Sequence, residues 1–206
     1  MEDPRSEERA VLCRGYFPSV VKAAEAGDIV AADELGDMYL YGFGVEKSGK
    51  QAVFWLEKGA EKGDWRSLNA LGDMYRLGEE VEEDGKKALS LYRKAEEMHS
   101  REALTSIGFM YYAGQGVDFD EGKAFSYFRK AAGAGDLDAL FMMGRCYMEG
   151  SAVEKDDRKA ADCFKETADR GYPMGMWALG QSYLHGIGVQ RDEKKAVALY
   201  QKAAGM

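Results

Sequence analysis

The chain has 206 residues, a formal charge of −8, and a composition of 46% hydrophobic and 31% charged side chains. No stretch approaches the roughly 18 consecutive apolar residues that a bilayer requires, which excludes an integral membrane protein. Its Lys and Arg residues recur at regular positions and form no single basic stripe, so the sequence predicts no nucleic-acid partner.

In chain order, the first segment runs from Met1 to Asp28. Met1–Arg14 is too charged to hold the apolar stretch of a secretory signal, and a cytoplasmic location is expected. Arg5–Ala24, broken at Pro18, is predicted to supply helices that cap the array described next. Lys22-Ala23-Ala24-Glu25-Ala26-Gly27-Asp28 reads as the closing half of one unit.

From Ile29 onward a glycine stands at Gly36, Gly72, Gly108, Gly144 and Gly180, each 36 residues after the last. A fixed period of this length marks stacked supersecondary units that bury their apolar faces against one another. The register divides the chain into 29–64, 65–100, 101–136, 137–172 and 173–206. Asp28, Asp64, Ser100 and Asp136 precede the first helix of their units and are predicted N-caps. In the fifth unit, Tyr172 holds that slot and Pro173 takes the first helical position.

Helix A then runs about 12 residues to Gly42, Gly78, Gly114, Gly150 or Gly186, where a left-handed residue ends it. A short loop closes on Val45, Val81, Val117, Val153 and Val189. Ser48, Asp84, Asp120, Asp156 and Asp192 cap helix B, which ends near Gly63, Gly135 and Gly171. Each unit is an αα-hairpin. Leu35, Leu71, Ile107, Met143 and Leu179, with the tyrosines four residues on, form the apolar stripe of helix A.

The mid-helix glycines cost about 1 kcal/mol each relative to alanine, so a partner passing too close for a β-carbon is expected at all five. Ala52, Ala88, Ala124, Ala160 and Ala196 are the expected opposite wall, with Leu56, Tyr92, Phe128, Phe164 and Tyr200 filling the space between units. Two departures fall in the loops, where Glu80 and Ala152 replace the second glycine. A third is the junction Glu97-Met98-His99-Ser100, which replaces the usual small-residue turn and is where any kink between the second and third repeats is expected.

The sequence offers little that looks catalytic. Gly42-Phe43-Gly44, Gly114-Gln115-Gly116 and Gly186-Ile187-Gly188 follow no strand and lack the third glycine of a phosphate-binding loop. His99 and His185 sit at different registers and build no metal or nucleophilic constellation. Cys13, Cys146 and Cys163 have no metal-ligand spacing. Free thiols are expected, with a Cys146–Cys163 bridge as the alternative. No catalytic residue, metal or cofactor is predicted, and the acidic run Glu79–Asp84 reads as an exposed loop plus the cap at Asp84, with a docking site for a basic partner as the alternative.

The pattern of Ile107-Gly108, Tyr111, Gly114, Gly116-Val117, Asp120, Lys123-Ala124 and Lys130-Ala131-Ala132 resembles the Sel1-like repeat family, relatives of tetratricopeptide repeats. The resemblance covers Ile29 to Met206. It implies an all-α fold, a right-handed α-solenoid of αα-hairpins acting as adaptor or scaffold without catalysis of its own.

In stacked helical hairpins, helix A generally lines the concave side, so its variable columns are the candidate partner surface. One column reads Asp33, Asn69, Thr105, Phe141 and Trp177. The next reads Asp37, Asp73, Phe109, Arg145 and Gln181, and a third Leu40, Arg76, Tyr112, Met148 and Leu184. The surface predicted from register is acidic and polar in the first two units and aromatic in the last three.

A protein or peptide partner is therefore expected to bring basic residues toward the first two units, where Asp33, Asp37, Asn69, Asp73 and Arg76 form the candidate surface. Its apolar anchors would meet Phe109, Tyr112, Phe141 and Trp177, and an acidic group would meet Arg145 beside Gln181. The C-terminal repeat has no cap of its own, so either a longer natural chain or self-association through that face is a further expectation. The rival readings are an immunity protein masking a cognate toxin, a passive spacer, and a hydrolase of a cell-wall-related small molecule. The variable columns supply no nucleophile, base and oxyanion donors for the last.

Overall fold

The structure is a computed structural model and describes residues 16–205. It comprises two compact units, Met1–Ala103 with Gln115–Val117, and Leu104–Gly114 with Asp118–Met206, of which the described residues are treated in turn. All regular structure among the described residues is helical.

The first unit holds a helix over residues 16–25 (α1), then α2 (Ile29–Tyr41), α3 (Gly49–Glu61), α4 (Trp65–Leu77) and α5 (Gly85–Glu97). Helices α2 and α3 form one hairpin and α4 and α5 the next, with α3 against α4 between them. The second unit carries most of α6 (Arg101–Ala113), then α7 (Glu121–Gly133), α8 (Leu137–Glu149), α9 (Asp157–Asp169), α10 (Pro173–His185) and α11 (Glu193–Ala204). Its hairpins pair α8 with α9 and α10 with α11, while α6 meets α7 through Phe109 and Tyr112 on the Phe128 ring.

The predicted caps are in place. Asp28, Asp64 and Asp136 accept from the first-turn amides of Ala31, Arg66 and Ala139, and Ser100 accepts from Ala103 N. Tyr172 makes no side-chain cap bond ahead of Pro173. Ser48, Asp84, Asp120, Asp156 and Asp192 cap the second helix of each hairpin, each satisfying an otherwise unpaired helical N–H. Cys146 is buried and Cys163 half-buried, and both are free thiols. Burial and the nearby Glu166 carboxylate push the Cys163 thiol up to about 11, which leaves it inert at neutral pH. Cys13 lies outside the described residues.

The loop substitutions do not change the backbone. Glu80 (φ 59°) and Ala152 (φ 63°) adopt the left-handed conformation of Gly44 (φ 73°) in the matching position. Tertiary packing thus forces two residues into a region that disfavours a β-carbon, at about 1 kcal/mol each. The Glu97–Ser100 junction likewise keeps the usual turn. Its amides bond as those of Lys62–Asp64 do, with His99 (φ 63°) standing in for Gly63 (φ 86°).

The mid-helix glycines do face a close partner, but it is not the alanine column. A β-carbon on Gly36 would lie 2.5 Å from Leu56 Cγ, on Gly108 2.7 Å from Phe128, on Gly144 2.6 Å from Phe164 and on Gly180 2.5 Å from Tyr200. On Gly72 it would overlap the Tyr92 ring. The bulky residue of helix B therefore sits in the pit left by the glycine of its own hairpin. A methyl group is too small to fill that pit, and the alanines, 0–1% exposed, pack elsewhere in the core.

Gly144→Ala is expected to lose about 1–3 kcal/mol, because overpacking against the buried Phe164 outweighs the gain of about 1 kcal/mol in helix propensity. Gly133→Ala, whose β-carbon would meet nothing within 4 Å, is expected to gain up to about 1 kcal/mol. Urea unfolding of the two variants beside the wild type measures both.

Candidate functional site

In the first unit, one face of α2 and α4 and the start of α6 enclose a groove of about 490 Å³. Asp37, Asn69, Asp73 and Arg76, all singled out by register, line it. Leu40 and Met74 form its floor and Tyr41, Trp65 and Leu77 its apolar flanks, with Glu79 and Glu102 at its edge. The sequence reading passed over these flanks. Tyr41 and Leu77, 50% and 49% exposed, are the last residues of their helices. Large apolar side chains held in solvent at a helix end were the available signal.

Most charges in the groove are neutralised within the chain. Asp73 accepts from the Tyr92 hydroxyl at 2.7 Å and from Arg76 Nη2 at 3.1 Å, and Arg76 Nε also donates to that hydroxyl at 3.2 Å. Arg66 is held by Asp64 at 3.0 Å and lies 4.0 Å from Asp33, whose other oxygen accepts from Ser67 Oγ. Glu102 accepts from Arg101 and from Ser100.

Asp37 is different. Among the described residues its half-buried carboxylate has no hydrogen-bond donor or cation, and Asp33 and Glu34 stand one turn back on the same helix. Burial and then those two charges push its carboxyl up to about 6, from an ordinary 3.8. Asp33 is raised as well, by burial and the Asp64 charge.

Not every residue of the three columns reaches solvent. Asn69 is 9% exposed and donates to Ser100 Oγ at 2.8 Å, Thr105 is 7% exposed, and Phe141 is 8% exposed between the Phe164 and Tyr172 rings. Three members of the first column therefore pack at or beside the residue that caps the next repeat: Asp33 on Ser67 near Asp64, Asn69 on Ser100, Phe141 on Tyr172. This corrects the expected anchor role of Phe141, whose ring is spent on internal packing.

In the second unit Phe109 and Tyr112 lean on Phe128, and Arg145 is paired with Glu149 at 2.8 Å. Gln181 lies against the buried Tyr200 hydroxyl. Trp177, 57% exposed, is the aromatic of the first column that faces solvent. Among the described residues, no cluster of three or more His, Cys, Asp or Glu is placed to hold a metal, and no helix is long and apolar enough to cross a membrane.

Residues 29–64, 65–100, 101–136, 137–172 and 173–206 each match the Sel1 repeat family model. The chain belongs to the Sel1 repeat family, whose members generally serve as non-catalytic scaffolds for protein–protein interaction. Among solved structures, a protective antigen of uropathogenic Escherichia coli with the same repeat fold is 32% identical, with a TM-score of 0.79 over 90% of this chain. The match spans 40% of that longer chain. A Sel1 repeat protein from Oxalobacter formigenes is 28% identical, with a TM-score of 0.80 over 92% of this chain and 84% of its own. An immunity protein of Pseudomonas aeruginosa shares the fold at 21% identity, with a TM-score of 0.63 over 99% of this chain and 84% of its own. No curated protein sequence matches the chain. The fold is the all-α solenoid of stacked αα-hairpins.

Asp37 makes the site a cost to the fold. Its folded carboxyl holds a proton up to about pH 6 and its unfolded one only to about 3.8, so stability falls as pH rises through that window and stays lowered above it. Asp37→Asn is expected to stabilise the chain by about 1–2 kcal/mol at pH 7, a gain that vanishes below pH 4. Thermal unfolding at pH 4, 5, 6 and 7 checks both the size and the sign.

Proposed function

We propose that this protein is a non-catalytic binding module that takes an extended protein segment in the groove of its first unit, with a Lys or Arg of the partner against Asp37. The observation that carries this reading is the unmatched Asp37 carboxylate, held at a cost in stability and turned toward a groove with apolar flanks. Perturbed, uncompensated charges gather where a ligand supplies the missing partner. Tyr41, Trp65 and Leu77 supply apolar contacts on either side, so the fitting segment has a basic residue flanked by apolar ones.

The family's general role in protein interaction supports the class of function. The likeness to an immunity protein extends to the fold, and masking of a toxin would be one use of the same groove. Trp177 in the second unit, exposed on α10, is a separate apolar contact for such a partner.

Selection of random displayed peptides on the immobilised chain tests the proposal. Peptides with Lys or Arg beside an apolar residue are expected to dominate. Their affinity is expected to fall with added salt, to fall as pH drops through about 6, and to weaken about tenfold or more in Asp37→Asn. Enrichment of acidic or uncharged peptides whose binding ignores Asp37→Asn would overturn it.

A further inference from the structure

A second crevice in the first unit, about 570 Å³, shares no lining residue with the groove. It opens between α3 and α5 over α4. Its walls are Leu68, Leu71, Tyr75 and Leu91, and Lys94 stands on its rim. What belongs there is visible in the neighbouring repeats, because the 36-residue register gives every one of these positions a counterpart.

Leu91 corresponds to Trp55 and Tyr127 in the two adjacent repeats, and to Cys163 and Leu199 in the last two. Trp55 is 7% exposed and packs in one cluster with Leu35 and Tyr39, the counterparts of Leu71 and Tyr75. Tyr127 stacks on Tyr111, the other counterpart of Tyr75, with centroids 5.9 Å apart and planes 16° apart. A lysine covers each of these rings, Lys58 at 4.7 Å from Trp55 and Lys130 at 4.9 Å from Tyr127. Lys94 holds the same position in the second repeat, but the residue at the ring position is Leu91.

The second repeat therefore keeps both halves of the setting, the tyrosine wall and the lysine cover, while the ring is missing and open space takes its place. Lys87 also lines the crevice, 3.9 Å from the Tyr75 ring centroid and 2.6 Å from its hydroxyl, and holds that wall in place. The rim also carries Glu57, Glu61 and Glu97, so it offers no net positive charge to an anion.

We infer that this crevice is a socket for an aromatic side chain of a partner protein, which lies along Tyr75 and Leu91 beneath Lys94 as Trp55 and Tyr127 lie beneath their own lysines. The electron-rich face of a Trp or Tyr ring suits an ammonium group above it, and an aliphatic guest forfeits that attraction. The surface is independent of the Asp37 groove, so a partner that engages both is held at two points on one unit.

The test is a titration of the isotope-labelled chain with N-acetyl-tryptophanamide, followed by NMR. Shifts are expected at Leu68, Leu71, Tyr75, Leu91 and Lys94, and binding is expected to weaken about two- to fivefold in Lys94→Gln. N-acetyl-cyclohexylalaninamide, whose saturated ring is smaller than indole and has no electron-rich face, is expected to bind more weakly and, as the deciding control, to be indifferent to Lys94→Gln. Leu91→Tyr is expected to close the socket and raise the unfolding temperature, reproducing the third repeat. Equal binding of the two probes, no effect of Lys94→Gln, or shifts elsewhere on the chain would overturn the inference. None of these outcomes bears on Asp37, so the socket and the groove stand or fall separately.

Discussion

Everything in this protein depends on one contact made five times, the bulky residue of helix B seated on the bare Cα of the glycine in helix A of the same hairpin. A β-carbon there would come within 2.7 Å or less of the opposing side chain in each of the five pairs. The contact sets how closely the two helices of a hairpin approach, and with it which residues of helix A turn outward. Asp37 and Asp73 directly follow Gly36 and Gly72, so in the first unit the column next to the contact is the one that lines the groove. Close packing leaves the backbone little room to adjust, which is why Glu80 and Ala152 are forced into left-handed geometry where glycine is the easier residue.

A rigid scaffold of this kind can hold a side chain in an unfavourable setting. Asp73 is paired with Arg76, accepts a hydrogen bond from the Tyr92 hydroxyl, and contributes structure as well as surface. Asp37, one repeat earlier in the same column, has Asp33 and Glu34 for neighbours in place of an arginine. The same register position thus serves internal architecture in one repeat and an open electrostatic demand in another. The variation between repeats is where binding can be built, and the socket beside Leu91 follows the same logic on a different face.

Much of the fold was legible in the sequence because its determinants are local. Asp, Ser and Pro at helix starts and glycine at helix ends act through the backbone of the residues beside them, and the caps fall where the spacing placed them. The site was legible in part. Asp37, Asp73 and Arg76 meet in the groove because they share a helix face or a period, and period is visible in a sequence. The burial of Asn69 and Phe141 was not, since it arises from the cap residue of the following repeat, Ser100 or Tyr172, leaning across from another helix. The true partner of the glycines was hidden for a related reason. Alanine looked like the natural neighbour of a small residue, whereas the gap is large enough to admit a ring. Tyr41 and Leu77 went unnoticed because their role lies in exposure, which alternation of apolar and polar residues does not encode.

The central claim is that Asp37 is an unsatisfied charge awaiting a basic partner, and its own titration reports on that most directly. Carbon-detected NMR of the Asp37 carboxyl should show it titrating near 6 in the free chain. Once a Lys- or Arg-bearing peptide is bound, the same carboxyl should titrate at or below the ordinary 3.8, because attraction to the cation offsets first the cost of burial and then the repulsion from Asp33 and Glu34. A carboxyl that titrates near 3.8 in the free chain, or one that stays near 6 with the peptide bound, would contradict the account.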